Sequence, residues 1–353
     1  MKLFEYPYLV QREILQNIDY QNLFLLSFVS TKMKKLIKLT QSNRFKNIRS
    51  LRYTCNDTNK QPFVDISPKQ GRREVLIKIV ERQTTKNDYF PLNVSGKIIY
   101  FRISDKFEPL LVASFEPDES RSVIESIHNH NFHLFGNSVE YLWRTDDCEN
   151  IIPQLQNIFA CVEVMDIDPD YANLEHFFSE SPNLKYIMFY ALGYTEPFSP
   201  NSKAYQAECV EVVQPNSTIP FVLRHFQGKQ AILRCREYET SDLTEFVNRW
   251  KSGESFQTLE HLSCKRYSNA LPQNEILNVI GAKHIDVTKT PPTYTVPKIY
   301  SWTNTNTNTG TFSSHIYVVR ESDNHVASVL IQEKVFRFGV WDMTEEKFLR
   351  MVE

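Results

Sequence analysis

The densest set of metal-ligand side chains in this chain is His128-x-His130-x-x-His133. Imidazoles at such spacing could share a zinc ion, yet no carboxylate or cysteine accompanies them at tetrahedral spacing. They follow a helix predicted over Ser120 to Ile127, in an Asn-rich stretch that reads as a surface loop with ordinary histidines. A second candidate set is Asp146-Asp147-Cys148 with Asp166 and Asp168, acids that follow two consecutive predicted strands. If those strands are parallel, their ends share the rim where α/β folds place ligands. Isolated acids beside turns are also what loop chemistry produces. No Cys stands in an electropositive, exposed context with a nearby His, as a group-transferring thiolate requires. With 9 Gly and no G-x-G-x-x-G, Walker-type loop or G-x-S-x-G elbow, phosphate cradles and strained nucleophile turns lack a candidate. The expectation is a non-catalytic protein with no cofactor and no metal.

The elements that would position any site belong to an ordered chain of 353 residues, 41% hydrophobic and 13% aromatic, long enough for two domains or one repeat array. A formal net charge of −2 gives no global field to attract nucleic acid or an anionic membrane. The first twenty residues meet charge every few positions, without the apolar run of a secretory signal, and no later stretch has the length of a membrane span. Six cysteines without paired spacing suit reduced core thiols, hence a cytoplasmic or nuclear protein.

Between Pro7 and Leu39 apolar residues fall at helical spacing in three groups: Val10, Ile14, Leu15 and Ile18; Leu23, Leu26 and Val29; Met33, Leu36 and Ile37. Pro7 can open the first helix, and Asp19 and Ser30 can cap the second and third. Leu3, Phe4, Leu9, Phe24, Leu25 and Phe28 are left over once each helix has one inward stripe. Three helices in about 40 residues cannot hide two apolar faces alone. Either the rest of the chain or another protein must cover the second face. From Gln21 to Asn56 there are eight basic residues and no acid. This reads as a solvated helix face, with steering toward an acidic protein as the next alternative and nucleic acid last.

The order Leu3, Tyr6-Pro7, Val10, Ile14-Leu15, Ile18, Leu23, Leu26-Ser27, Val29-Ser30, Met33, Leu36-Ile37 resembles the F-box, with Tyr6 where Leu usually precedes the proline. The resemblance implies a surface that docks onto a Skp1-like adaptor and through it a cullin, the contacts falling to Leu3, Tyr6, Pro7, Val10, Ile14, Leu15, Leu23, Leu26, Val29 and Met33.

Beyond the helices, Glu74 to Glu81, Lys97 to Ser104 and Leu110 to Glu116 read as an antiparallel sheet. From Val139 onward strand-like segments recur: VEYLW, CVEVMDI from Cys161, LKYIMFY from Leu184, CVEVV from Cys209, AILRC from Ala231, LEHLSC from Leu259 and HIDVT from His284. The interval, 22 to 28 residues, falls in the range of leucine-rich repeats, with an ordinary α/β sheet as the alternative. Either way the sheet should be largely parallel, because helical segments lie between strands. Residues 288–314, with Pro291-Pro292, Pro297 and an alternating Thr-Asn tract, read as a mobile loop. Strands at Ile316 to Arg320, Val326 to Ile331 and Val335 to Trp341 would cap the array, with Asp323-Asn324 turning the first hairpin.

The F-box pattern with RHFQGKQAILRC, the Asp242-Leu243-Thr244-Glu245-Phe246 to Trp250-Lys251-Ser252-Gly253 segment and the closing RESDNHVASVLIQEKVFRFGVW is similar to nematode F-box proteins carrying the type 2 F-box-associated domain. The fold expected is α/β: an N-terminal three-helix F-box (1–40), a β-rich part (41–136), and a degenerate leucine-rich-repeat-like α/β solenoid with flanking antiparallel strands (137–353). The resemblance implies the substrate-recognition subunit of an SCF-type cullin–RING ubiquitin ligase, its target unidentified. The alternative is a non-ligase repeat scaffold whose helical module caps its own solenoid.

Overall fold

A computed structural model describes residues 3–55, 61–82, 88–104, 110–166, 170–191, 196–214, 219–298 and 310–352. It is a mixed α/β fold that begins with helices and continues into extensive sheet. Two compact units divide the chain, Met1–Cys161 and Val162–Glu353, and the division falls inside one strand, Ile158–Asp166.

The first unit opens with helices α1 (Tyr8–Gln16), α2 (Tyr20–Leu26), α3 (Thr31–Thr40) and α4 (Ser42–Phe45). Pro7 precedes α1, where its missing N–H costs nothing. Asp19 accepts the Asn22 amide and Ser30 the Met33 amide, each satisfying an orphan donor at a helix start. Strands β1 (Ile48–Cys55), β2 (Phe63–Pro68), β3 (Glu74–Glu81), β4 (Phe90–Val94), β5 (Lys97–Ser104) and β6 (Leu110–Phe115) precede helix α5 (Ser120–Phe135) and strand β7 (Glu140–Thr145).

Their sheet runs β7-β1-β2-β3-β6-β5-β4. The antiparallel arrangement expected of the early strands holds for β1 to β3 and for β4 to β6, but β3 and β6 pair in parallel. Ser95 and Gly96, both at positive φ, make the tight β4–β5 turn that returns the chain. Helix α5 corrects the loop expected around the histidines, because it continues through them to Phe135. Val123, Ile124, Ile127, Leu134 and Phe135 give it a buried face that polar neighbours disguise in the sequence.

The second unit contains the part of β8 (Ile158–Asp166) from Val162 on, then α6 (Tyr171–Glu180), β9 (Asn183–Ala191), β10 (Cys209–Gln214), α7 (Ile219–His225), β11 (Gln230–Cys235), α8 (Thr240–Lys251), β12 (His261–Arg266) and α9 (Gln273–Val279). Then follow β13 (Lys283–His284), β14 (Thr293–Thr295), β15 (Thr311–Ser313), β16 (Ile316–Val319), β17 (His325–Gln332), β18 (Val335–Thr344) and α10 (Glu345–Arg350).

Strands β9, β10, β11 and β12 pair in parallel and in chain order, as intervening helices require. Helix α8 starts with a reciprocal capping box between Glu239 and Asp242 and buries Phe246 and Trp250 against Phe338. After β12 the parallel order ends, because β18 joins antiparallel and β17, β16 and β13 continue that way. The HIDVT segment is thus an antiparallel end piece, not a further rung. Asn324, at φ 58°, turns the β16–β17 hairpin in the left-handed region that Asn tolerates.

The expected mobile loop is corrected at both described ends. Strands β14 and β15 form a two-stranded antiparallel ribbon with Tyr294 and Phe312 buried. The Tyr294 ring lies on Gly339, where a Cβ would come within 2.6 Å, and its hydroxyl donates to the Glu260 carbonyl at 2.6 Å. The tract from Thr303 to Thr309 lies outside the described residues.

Candidate protein-docking surface

The helical module divides its apolar residues between two faces. On the inner one Phe24 is fully buried, Phe28 packs on Phe101 of β5 at 5.4 Å, and Phe45 meets Phe135 of α5 edge-on at 4.9 Å. His130 of α5 lies against the Phe28 ring at 4.2 Å and against Phe24 at 5.8 Å. Its Nε2 is 2.6 Å from Ser27 Oγ, whose hydroxyl donates to the Phe24 carbonyl, so the imidazole N–H donates to Ser27. Burial pushes the His130 pKa down to about 3, with Lys34 and His133 adding repulsion, so the ring is neutral here.

His128 is held by a different set. Its Nε2–H donates to the Gln156 carbonyl at 2.8 Å, its Nδ1 accepts from the Tyr53 hydroxyl at 3.1 Å, and Asn131 donates to that hydroxyl at 2.9 Å. His133 points elsewhere, Nδ1 to the Asn129 carbonyl at 2.6 Å. The three imidazoles therefore serve three separate partners. Among the described residues no group of three His, Cys, Asp or Glu is placed to hold a metal ion.

The acids near β7 do turn work. Asp147 Oδ1 accepts the Glu149 and Asn150 amides, and its own amide donates to Thr145 Oγ1. The Asp166 side chain and Asp168 lie outside the described residues. Five of the six cysteines are buried, and burial beside Asp147 and Asp146 pushes half-buried Cys148 up to about 12, far from a reactive thiolate.

The eight basic residues after Gln21 are partly committed to structure. Arg44 donates to the Ile18 carbonyl and stacks on Tyr20 at 4.1 Å. Arg52 is buried with Asp65 at 2.8 Å, Lys38 donates to the His133 carbonyl, and Lys32 covers the Phe4 ring at 4.3 Å.

On the outer face the apolar side chains stay exposed, even Phe4 beneath Lys32. Val29 is 65% exposed, Leu9 62% and Val10 40%, joined by Phe4, Tyr6, Tyr8 and Leu39. Among the described residues, seven of the seventeen exposed large hydrophobic side chains fall between Phe4 and Leu39, which makes this stretch the candidate interaction surface. At the α1–α2 corner Ile18, Leu25 and Leu26, together with Asn17, Asp19 and Asn22, line an open concavity of ≈ 400 Å³.

Of the ten candidate contacts, Tyr6, Pro7, Val10 and Val29 are exposed, and Ile14 and Leu26 are half-buried. Leu3, Leu15, Leu23 and Met33 are buried in the module's own core. The structure adds Phe4, Tyr8, Leu9 and Leu39. Phe4 and Leu9 are signalled in the sequence as surplus apolar residues, whereas Tyr8 and Leu39 simply read as further helix positions.

No curated protein and no solved structure matches the chain. Residues 7–45, the span that holds α1 to α4, match the model of the F-box domain.

Proposed function

We propose that this protein is a non-catalytic, substrate-recognition adaptor of an SCF-type cullin–RING ubiquitin ligase, working in the cytoplasm or nucleus. Its F-box docks a Skp1-like protein, and through it a cullin, while the domain from residue 137 onward holds the target. The carrying observation is the exposed apolar set Phe4, Tyr6, Tyr8, Leu9, Val10, Val29 and Leu39 on a module that matches the F-box and whose other face is already covered.

In this reading Tyr6, Pro7, Val10 and Val29 touch the adaptor, Ile14 and Leu26 line the contact, and Leu3, Leu15, Leu23 and Met33 hold the helices that present them. The parallel order of β9 to β12, one strand for each return through helix or turn, supports a leucine-rich-repeat-like array of the type 2 F-box-associated kind.

The second reading, a scaffold whose helices cap the molecule, draws on the inner face, where Phe24, Phe28 and Ser27 engage α5 and β5. It leaves the outer face unexplained. Calorimetric titration of the full chain with Skp1 separates the two. A saturable one-to-one complex is expected, and no heat or co-purification with the wild-type chain would overturn the adaptor reading.

A further inference from the structure

In the second unit, register places Ile187, Val210, Ala231 and Leu262 in one row across β9 to β12, and Phe189, Val212, Leu233 and Cys264 in another. All eight are buried. The alternate positions face the other way. They form a row Met188, Glu211, Ile232 and Ser263, continued by Arg337 of β18, and a row Tyr190, Val213, Arg234 and Lys265, continued by Val335. Each of these is half-buried except Lys265, which is exposed. Parallel sheets are ordinarily covered on both faces, so two open rows across five strands are an unfilled surface.

One side of this face is already blocked. Tyr294 of the ribbon lies on Gly339 and stacks on His261, and Gln230 Nε2 donates to the Pro297 carbonyl at 2.6 Å. The ribbon thus forms a wall and leaves the two outer rows.

The charges on those rows are unequal. Glu211 is neutralised by Arg234 and accepts from the Tyr186 hydroxyl at 2.8 Å. Lys265 and Arg337 have no acidic partner among the described residues; Lys265 instead lies 5.6 Å from the exposed Tyr267 ring. Lys265 and Arg337 sit on adjacent strands, Arg337 opposite Ser263 and so two residues along from Lys265, about 8 Å apart at the usual strand geometry. The other end of the rows, Met188, Tyr190, Val213 and Ile232, is apolar.

We infer that this open face binds an extended segment of the target protein in which acidic residues, set against Lys265 and Arg337, adjoin apolar ones set against Ile232, Val213, Tyr190 and Met188. The inference rests on the adaptor reading and names the chemistry of its target. Extended backbone brings a side chain to one face about every 7 Å, so two acids separated by one residue match the spacing of these two cations.

The test is selection of the full-length chain against a random peptide display library, with Skp1 binding measured on the same preparation. Acidic–apolar peptides should be enriched, and their affinity, read by fluorescence anisotropy, should fall about tenfold or more with Lys265→Glu plus Arg337→Glu and fall with added salt. Lys265→Arg plus Arg337→Lys should keep binding, and Lys265→Gln plus Arg337→Gln serves if the reversal fails to fold. Enrichment without acidic residues, affinity indifferent to the reversal, or no enriched peptide overturns the inference while Skp1 binding stands. Loss of Skp1 binding by the wild-type chain overturns the adaptor reading instead.

Discussion

The two apolar faces of the helical module are built from the same residue types and meet opposite fates. Phe24 and Phe28 are buried against Phe101 and His130, whereas Phe4, Leu9, Val10 and Val29 remain in solvent. The difference lies in the polar groups that accompany the inner face. Ser27 can be buried because His130 donates to it and Phe24 accepts from it, and Tyr20 can be because its amide donates to Glu74 at 3.2 Å. No such cross-contacts are made by Leu9, Val10 or Val29. The inner face thus fixes the helical module on its own unit, and the outer face stays exposed.

The sharpest way to break this contrast is Phe24→Ala. The side chain is fully buried, so the change should cost about 3–5 kcal/mol of stability, read as a lowered denaturation midpoint. Skp1 binding should fall only in proportion to the unfolded fraction. A stable variant would show that the inner face is not a core. Leu9→Asp with Val29→Asp should do the reverse. Stability should stay within about 0.5 kcal/mol per site, as at other exposed positions. Affinity for Skp1 should drop about 30-fold or more, the scale of losing a hot spot. Undiminished binding by the folded double variant would place the docking surface elsewhere. Ser27→Ala is the finer probe: it strands the His130 N–H in an apolar pocket, at about 1–3 kcal/mol in chemical denaturation.

What the sequence disclosed follows the range of the interactions. Asp19 and Ser30 act within three residues of themselves, and both caps were legible. Strands β3 and β5 occupy the spans that their apolar runs mark. The pairing of β3 with β6 in parallel was not legible, because nothing within either strand encodes its neighbour. The histidine stretch reads as polar loop since its partners, Tyr53 and Ser27, lie 75 and 103 residues away. Residues 288–314 read as mobile because a proline-rich, polar composition conceals two rings, Tyr294 and Phe312, for which Gly339 leaves room. For the docking surface, the motif register located the module but could not sort buried Leu15 from exposed Val10, since both fall at apolar positions of helical spacing and their burial depends on how the helices pack.

The buried imidazoles add the least disruptive test, because pH alone applies it. An unfolded chain takes up protons on histidine near pH 6.5. Folded His130 does so only at about pH 3, and His128 is also held below its ordinary value, in both cases chiefly by desolvation of the charged ring. Between those limits the unfolded state binds more protons than the folded one, so stability must fall as pH falls. The stabilisation is complete above pH 6.5 and drains away below it, by about 1 kcal/mol per histidine for each pH unit once the unfolded ring is fully charged. His261 in the second unit, lowered to about 4 by burial and by Arg337, contributes with the same sign over pH 6.5 to 4. Denaturation midpoints measured from pH 8 to 5 should therefore be flat at first and then decline. His130→Phe keeps a ring against Phe24 and Phe28 while removing one titration, so its decline should be shallower than wild type. An equal slope would mean that His130 is not buried as a neutral ring and that the inner face opens to water.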